Sequence, residues 1–251
     1  MKKKLLSVLL VVCMMLTLMP MAALADFADT DGHWGKDAID RWASVGVLNG
    51  KADGVFDPNG TMTRAEFAQM LCNMMGYTEK APNNFADIPD DAWYADAMLK
   101  LVAAGVINGT SATTASPNAT ITREMAAVML ARAFDIKPSS SSLSYADAGS
   151  VSSWAAGAVA ALTERGMMNG VGDNQVAPQL DINRASVAAL ADKMIADYVT
   201  EDKTITGEVN GIVIVAAGAK VTVEDASLNA PLVVAPAAEG AEVALTGTTK
   251  A

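Results

Sequence analysis

Cysteine is almost missing from the 251-residue chain, which has only Cys13 and Cys72. Cys13 lies in an N-terminal apolar run with no small residue ahead of it, a poor setting for lipid attachment. Cys72 falls among Met70, Leu71 and Met75 and reads as a small core residue. With one cysteine outside that run, an intramolecular disulfide is excluded and stability must come from packing. Histidine is scarcer still: His33 stands alone beside Trp34, so a His-based triad or a His-rich metal site would hinge on one side chain. Basic charge is short as well, with 18 Lys and Arg against 28 Asp and Glu and a net charge of −10. An acidic surface argues against nucleic acid and against anionic lipid as partners. After the first 25 residues no apolar run approaches the roughly 20 residues of a membrane span.

Those first residues form a leader pattern. Lys2, Lys3 and Lys4 precede an apolar run from Leu5 to Met19, and Ala23-Leu24-Ala25 supplies small residues for cleavage. Residues 1–25 are therefore expected to be a secretory signal peptide. Its removal takes the net charge from −10 to −13. The expectation is an exported protein with no membrane association after cleavage.

What the chain does have is one unit written three times. Phe27-Ala-Asp29, Phe85-Ala-Asp87 and Tyr145-Ala-Asp147 are each followed by a tryptophan: Trp34, Trp93 and Trp154. Gly46-Val-Leu-Asn49-Gly50, Gly105-Val-Ile-Asn108-Gly109 and Gly166-Met-Met-Asn169-Gly170 come next. Prolines 58, 117 and 178 follow at matched offsets, then Thr63-Arg64, Thr122-Arg123 and Asn183-Arg184. The units span 26–80, 81–141 and 142–199.

Each unit reads as two helices joined by a structured loop. Trp34, Ala38, Trp42 and Val45 recur at helical spacing, and Gly46 is placed to end that helix with positive φ. Thr63 can cap the second helix while Glu66 reaches back, as in a capping box. Phe67, Met70, Leu71 and Met74 form its stripe, and Gly76 closes it. The second unit repeats this with Trp93–Gly105 and Thr122–Ala133, and the third with Trp154–Arg165 and Asn183–Tyr198. A helix pair of under about 60 residues cannot bury its own apolar face; three together can share a core. The three leading tryptophans are expected to pack in the core or the prongs rather than stack on sugar, and Asp29, Asp87 and Asp147 to act in turns or caps.

These residues resemble the S-layer homology (SLH) domain. The resemblance rests on Phe-x-Asp, the following Trp, Gly-Val-Leu-Asn-Gly at 46–50, Asp53-Gly54 with Phe56-Asp57-Pro58, and Thr63-Arg64-Ala65-Glu66. It covers about three quarters of the chain after the leader. It implies a mainly α fold, with the three helix-loop-helix repeats forming a pseudo-trimeric three-pronged bundle. It also implies non-covalent anchoring of an exported Gram-positive protein to pyruvylated secondary cell wall polysaccharide, at the cell wall or S-layer.

A pyruvate ketal presents a fixed carboxylate, and a guanidinium can grip it through two parallel charge-assisted hydrogen bonds. Arginine at a helix start is unfavourable for the helix dipole unless an anion arrives there, where free amides add donors. Arg64, Arg123 and Arg184 are thus the candidate ligand-binding residues, with Thr63 at the same helix start. Asp53-Gly54 in the first repeat and Asp173-Asn174 in the third supply turns that tolerate positive φ; Ala112-Thr113 in the second does not. The first signature is expected to bind best, Arg64→Ala to weaken binding most, and each groove to draw on neighbouring repeats.

Asn49, Asp53, Gly54 and Asp57 approach an EF-hand register, but Lys51 and Gly60 occupy the third and twelfth positions, so no calcium loop is expected. No metal, cofactor or catalytic role is expected. Between residue 26 and the tail, the repeats leave no stretch for a separate catalytic domain.

From residue 200 to 251 the helical spacing gives way to short alternating segments: Ile212–Val215, Val221–Val223, Leu232–Val234 and Val243–Leu245. They resemble a short β-solenoid-like fragment of parallel rungs. Its last rung could pair with a second copy as a homo-oligomer, so a self-assembling surface-layer or adhesin-like structural protein is the alternative function.

Overall fold

The structure is a computed structural model that describes residues 26–250. The expected leader, residues 1–25, lies outside the described residues. Six helices are followed by six strands. The helices are α1 (Lys36–Ser44), α2 (Arg64–Met75), α3 (Ala95–Ala103), α4 (Arg123–Ala133), α5 (Ala156–Glu164) and α6 (Arg184–Met194). Each first helix ends two residues before a glycine in the left-handed region: Gly46, Gly105 and Gly166 have φ of 72°, 70° and 66°. No Cβ is present there to oppose that conformation. Helix α2 has both halves of its capping box, Thr63 accepting from the Glu66 amide and Glu66 accepting from the Thr63 amide. In α4 and α6 only the cap side chain bonds, to Met125 and Ser186, because neither of those residues can reach back.

The repeats do not pack one by one; each second helix pairs with the first helix of the next repeat. Helix α2 packs on α3, α4 on α5, and α6 returns to α1. A ring of backbone hydrogen bonds follows the same cycle. The Met62 amide donates to the Ile182 carbonyl (3.1 Å), Ile182 to Ile121 (3.0 Å), and Ile121 to Met62 (2.9 Å). Around it Phe67, Leu71, Met98, Leu101, Leu130 and Leu162 are fully or almost fully buried in one continuous core. No repeat keeps an unmatched face, which is how three undersized units become stable together.

The Phe-x-Asp motifs tie each repeat's start to its loop. Asp29 accepts from the amides of Phe56 (2.9 Å) and Asp57 (2.6 Å), Asp87 from Ala115 and Ser116, and Asp147 from Val176 and Ala177. The second residue of each pair has positive φ: Asp57 61°, Ser116 52° and Ala177 48°. These carboxylates thus hold a strained loop about 28 residues downstream, beyond the local turn or cap expected of them. Desolvation pushes the Asp29 and Asp147 carboxyls up, but the backbone amide bonds together outweigh it and leave both below the ordinary carboxylate value.

Trp42 is fully buried, as its stripe requires, but Trp34, Trp93 and Trp154 are 65%, 62% and 55% exposed. Of the core or prong packing expected of these three, the core part does not occur. Helices α1, α3 and α5 begin two residues after them, so the tryptophans stand in the preceding turns and never join the helical stripe.

The last helix also stops sooner than its periodicity suggests. Residues 195–198, expected to continue it, instead belong to strand β1 (Ile195–Val199), followed by β2 (Lys203–Val209), β3 (Ile212–Val215), β4 (Lys220–Leu228), β5 (Leu232–Val234) and β6 (Glu242–Thr246). The strands make two parallel sheets in the orders β1-β3-β5 and β2-β4-β6. All four β3 residues are buried. Ile212 and Ile214 join the helical core while Val213 and Val215 face a second core with Ile205, Val221 and Val223. A strand covered on both faces reads as an unbroken apolar run. Tyr198 donates to the Met74 carbonyl (3.1 Å), and Arg41 bonds Asp192 (2.7 Å) and the Ile195 carbonyl (3.2 Å), fastening the first sheet to the helices. Cys72 is buried, and burial pushes its thiol up, consistent with a core role. Among the described residues no helix is long and apolar enough to cross a membrane.

Candidate functional site

Each signature arginine opens a second helix, and each turns its guanidinium onto the next repeat. Arg64 donates through Nε to the Ala115 carbonyl (3.0 Å) and through Nη2 to Asn108 (3.2 Å). Arg123 donates likewise to Val176 (2.9 Å) and Asn169 (2.6 Å), and Arg184 to Phe56 (2.7 Å) and Asn49 (2.5 Å). Asn49, Asn108 and Asn169 are the asparagines of the three Gly-x-x-Asn-Gly turns, so two motifs that recur separately in sequence meet across every repeat boundary. Arg64 and Arg184 are buried and Arg123 is half-buried. Burial lowers all three guanidinium pKa values, yet arginine remains charged. Carbonyl dipoles supply the compensation.

The helix-start amides are likewise taken. Arg64 N donates to the Ala119 carbonyl and Ala65 N to Pro117; Arg123 and Glu124 donate to Leu180 and Pro178; Arg184 and Ala185 donate to Gly60 and Pro58. The next amide goes to the cap side chain of Thr63, Thr122 or Asn183. The first three orphan donors of each helix are therefore satisfied by protein, and the expectation that they would be free for an anion does not hold. Thr63 is engaged as a cap.

One edge of each arginine is left. Among the described residues, Nη1 of Arg64 and of Arg123 has no hydrogen-bond partner, and Nη1 of Arg184 lies 3.9 Å from Glu66 Oε1. Two of these arginines line cavities built from all three repeats. One, of about 400 Å³, takes Arg64 from the first repeat, Asn108, Gly109, Met125 and Arg132 from the second, and Trp154 from the third. The other, of about 640 Å³, takes Arg184 from the third, Asn49, Lys51, Glu66 and Gln69 from the first, and Trp93 from the second. Trp154 and Trp93 are walls of these grooves, and Trp34 lines neither.

The turn residues fall elsewhere. Gly54 (φ 66°) is in a tight turn whose carbonyl accepts from Ala28 (3.1 Å), and Asn174 (φ 54°) accepts from Ala146 and donates to Ser144. Asp53, Gly54, Asp173 and Asn174 line neither of the two grooves. The glycines that matter at the grooves are those of the Asn-Gly pairs. A Cβ on Gly50 or Gly109 would meet the ring of Phe27 or Phe85 at 2.6 or 2.7 Å, so the aromatic of each Phe-x-Asp motif needs that glycine.

Glu124 is a residue that motif spacing did not bring forward. It is 2% exposed and accepts from the Ser152 amide (2.9 Å) and hydroxyl (2.7 Å) and from Gln179 (2.8 Å). Those bonds fix the turn that carries Trp154. The matching positions hold Ala65 and Ala185, and this break in the repeat is the signal that could have exposed it.

Among the described residues there is no group of three or more His, Cys, Asp or Glu able to hold a metal ion. The helical module is thus built from repeats and carries two grooves at its internal boundaries, each walled by a tryptophan and floored by a buried arginine. The pattern of the S-layer homology domain matches residues 26–68, 84–127 and 144–188, more than half the chain, and the chain belongs to that family.

Its relatives carry different activities. It is 33% identical to the surface-layer 125 kDa protein of Lysinibacillus sphaericus over 69% of this chain and 15% of that one. It is 32% identical to an amylopullulanase of Thermoanaerobacterium thermosulfurigenes over 65% of this chain and 9% of the relative. It is 34% identical to exoglucanase XynX of Acetivibrio thermocellus over 65% and 16%. The chain thus spans less than a sixth of these curated relatives. The repeat region, which this chain shares with surface-layer proteins and with enzymes of differing activity, is non-catalytic. Family and relatives together support cell-wall anchoring or surface-layer association, at the cell surface.

Proposed function

We propose that the chain anchors an exported protein to the cell wall by holding pyruvylated secondary cell wall polysaccharide in its inter-repeat grooves. The observation that carries this is Arg64. Its Nε and Nη2 are spent on the second repeat's carbonyls while Nη1 is left at a groove that also holds exposed Trp154. A ketal carboxylate on a sugar would meet a charge already fixed in place, and the sugar face would lie on the indole. Arg123 and Arg184 have the same placement on their helices. The helical cycle supports the three-pronged pseudo-trimer as the scaffold, and the alternating parallel sheets support a β-solenoid fragment after it.

The test is sedimentation of the protein with purified wall sacculi, before and after mild acid removal of pyruvate. Retention is expected to fall at least about tenfold on stripped walls. Trp154→Ala, an exposed change that spares the fold, is expected to weaken retention on intact walls. Equal retention on both kinds of wall would contradict the carboxylate mechanism.

A second reading is favoured by the apolar side chains on β5 and β6, where Val234, Val243 and Leu245 are 48%, 37% and 58% exposed. Here the strand segment pairs with a second copy and wall binding assists assembly. Light scattering after removal of residues 240–250 separates the two: self-association lost with the last strand supports assembly, and a monomer before and after excludes it.

A further inference from the structure

The two grooves share one architecture and differ in charge. The groove of Arg64 is lined by a second cation, Arg132, by Met125, Val128 and Met129, and by no carboxylate. Among the described residues, Arg132 donates to the Val106 carbonyl (3.3 Å) and has no acidic partner. The groove of Arg184 is also lined by two cations, but each already faces an acid. Glu66 Oε1 is 3.9 Å from Arg184 Nη1, with Glu66 21% and Arg184 4% exposed at the side chain, and Lys51 is bound to Asp57 at 3.0 Å. The carboxylates whose charge Arg184 feels are Glu66, Asp57 and Asp29, against Asp87 alone for Arg64. Asp87 itself is occupied by the Ala115 and Ser116 amides.

Glu66 occupies the fourth position of Thr63-Arg64-Ala65-Glu66, and the corresponding residues of the other repeats are Met125 and Ser186. Its Oε2 closes the capping box on Thr63 (2.8 Å) while Oε1 points toward Arg184. A residue fixed by its own helix thus holds a negative charge where an incoming carboxylate would have to sit. Two like charges a few ångströms apart in a part-desolvated groove repel by more than a single sugar contact returns.

We infer that Glu66 is a charge gate that makes the grooves chemically distinct: the Arg64 groove takes the anionic ketal sugar, and the Arg184 groove takes an uncharged sugar of the same polymer. The inference rests on the glycan-anchoring role proposed above. It means that the polymer is read in two registers, one charged and one neutral, across a single molecule.

The test is calorimetric titration of the full chain with a hexose bearing a cyclic pyruvate ketal, and with the same sugar methyl-esterified at its carboxyl. Glu66→Gln keeps the capping box, since glutamine serves that position as well, and removes the charge. The variant is expected to bind the ketal sugar at one further site, about tenfold tighter than that groove does in the parent, and to lose the gain with the ester. Adding Arg184→Lys to Glu66→Gln is expected to abolish the gain. A Glu66→Gln chain that melts like the parent and shows unchanged stoichiometry and affinity overturns the gate.

The parent chain gives a second readout that does not depend on that variant folding. Trp154→Ala is expected to weaken ketal binding about tenfold while Trp93→Ala leaves it within about twofold; the reverse order also overturns the gate. No ketal binding by the parent at all would instead remove the anchoring role and the gate with it.

Discussion

The helical repeats close on themselves and the strands do not. Around the helices, every boundary is made the same way: a ring of three backbone bonds, a helix start seated on the next loop's carbonyls, and an arginine clasp. The clasp from Arg184 reaches back 135 residues to Asn49 and completes the circle. The strand segment grows in one direction instead. β3 is covered on both sides, whereas all five residues of β6 are exposed. A closed cycle shares stability among its parts; a linear stack draws it from the end that is docked.

The sharpest way to break this contrast is to delete the docked end. Removing residues 195–250 uncovers the helical core where Ile195, Ile212 and Ile214 pack. At roughly 1.5–3 kcal/mol per large apolar side chain, these three predict a loss of about 4.5–9 kcal/mol in denaturant unfolding. A truncated protein as stable as the parent would mean that the strands are a passive appendage. Next in size is Arg184→Ala, which orphans the carbonyls of Phe56 and Asn49 and removes the guanidinium lying 4.4 Å from the centre of the Phe56 ring. One buried and one part-buried acceptor left unmet predict a loss of about 3 kcal/mol, read from the same unfolding curves. The change at Arg165, whose Nη1 bonds only to the Ala161 carbonyl of its own helix turn, is expected to cost less than about 0.5 kcal/mol.

Tyr198→Phe sharpens the comparison at the junction itself. It deletes the bond to the Met74 carbonyl while keeping the edge-on contact with Trp42, so a loss of about 1 kcal/mol is expected. The smallest effect concerns pH. Asp29 and Asp147 have folded-state pKa values below their unfolded ones. Their stabilisation is present above the unfolded value, near pH 4, and disappears as pH falls through the lower folded value. Replacing Asp29 by asparagine is expected to flatten the acid limb of a melting-temperature profile and to leave its slope near neutrality unchanged.

Much of the helical region was legible because its signals are local. Thr63 to Glu66 spells a capping box, Gly46, Gly105 and Gly166 mark helix ends, and matched spacing gives the triplication without any contact being known. The arginine partners were not legible. An arginine at a helix start can be read as awaiting an anion, and nothing nearby in sequence says that the waiting acceptors are carbonyls of the following repeat. The same holds for the helix-start amides, whose partners at Pro58, Pro117 and Pro178 lie in other repeats.

The exposed tryptophans were misplaced for a smaller reason. A spacing of four from Trp34 to Ala38 suits a helix, but the chain begins α1 only at Lys36. In the tail, Ile212–Val215 and Leu232–Val234 stood out as continuous apolar runs. Ile195–Val199 continued the apolar spacing of α6 and hid there, and Lys203–Val209, rich in polar residues and Gly207, lacked the pattern altogether.

The dual use of the signature arginine, two nitrogens for the fold and one for the wall, is the claim on which the rest turns. Nitrogen-15 NMR of the arginine side chains, followed while a ketal-bearing sugar is added, addresses it directly. The Arg64 Nη1 resonance is expected to shift with ligand while Nε, bonded to Ala115, stays in place and protected from exchange. A ligand that binds without moving Nη1, or that frees Nε, would contradict it.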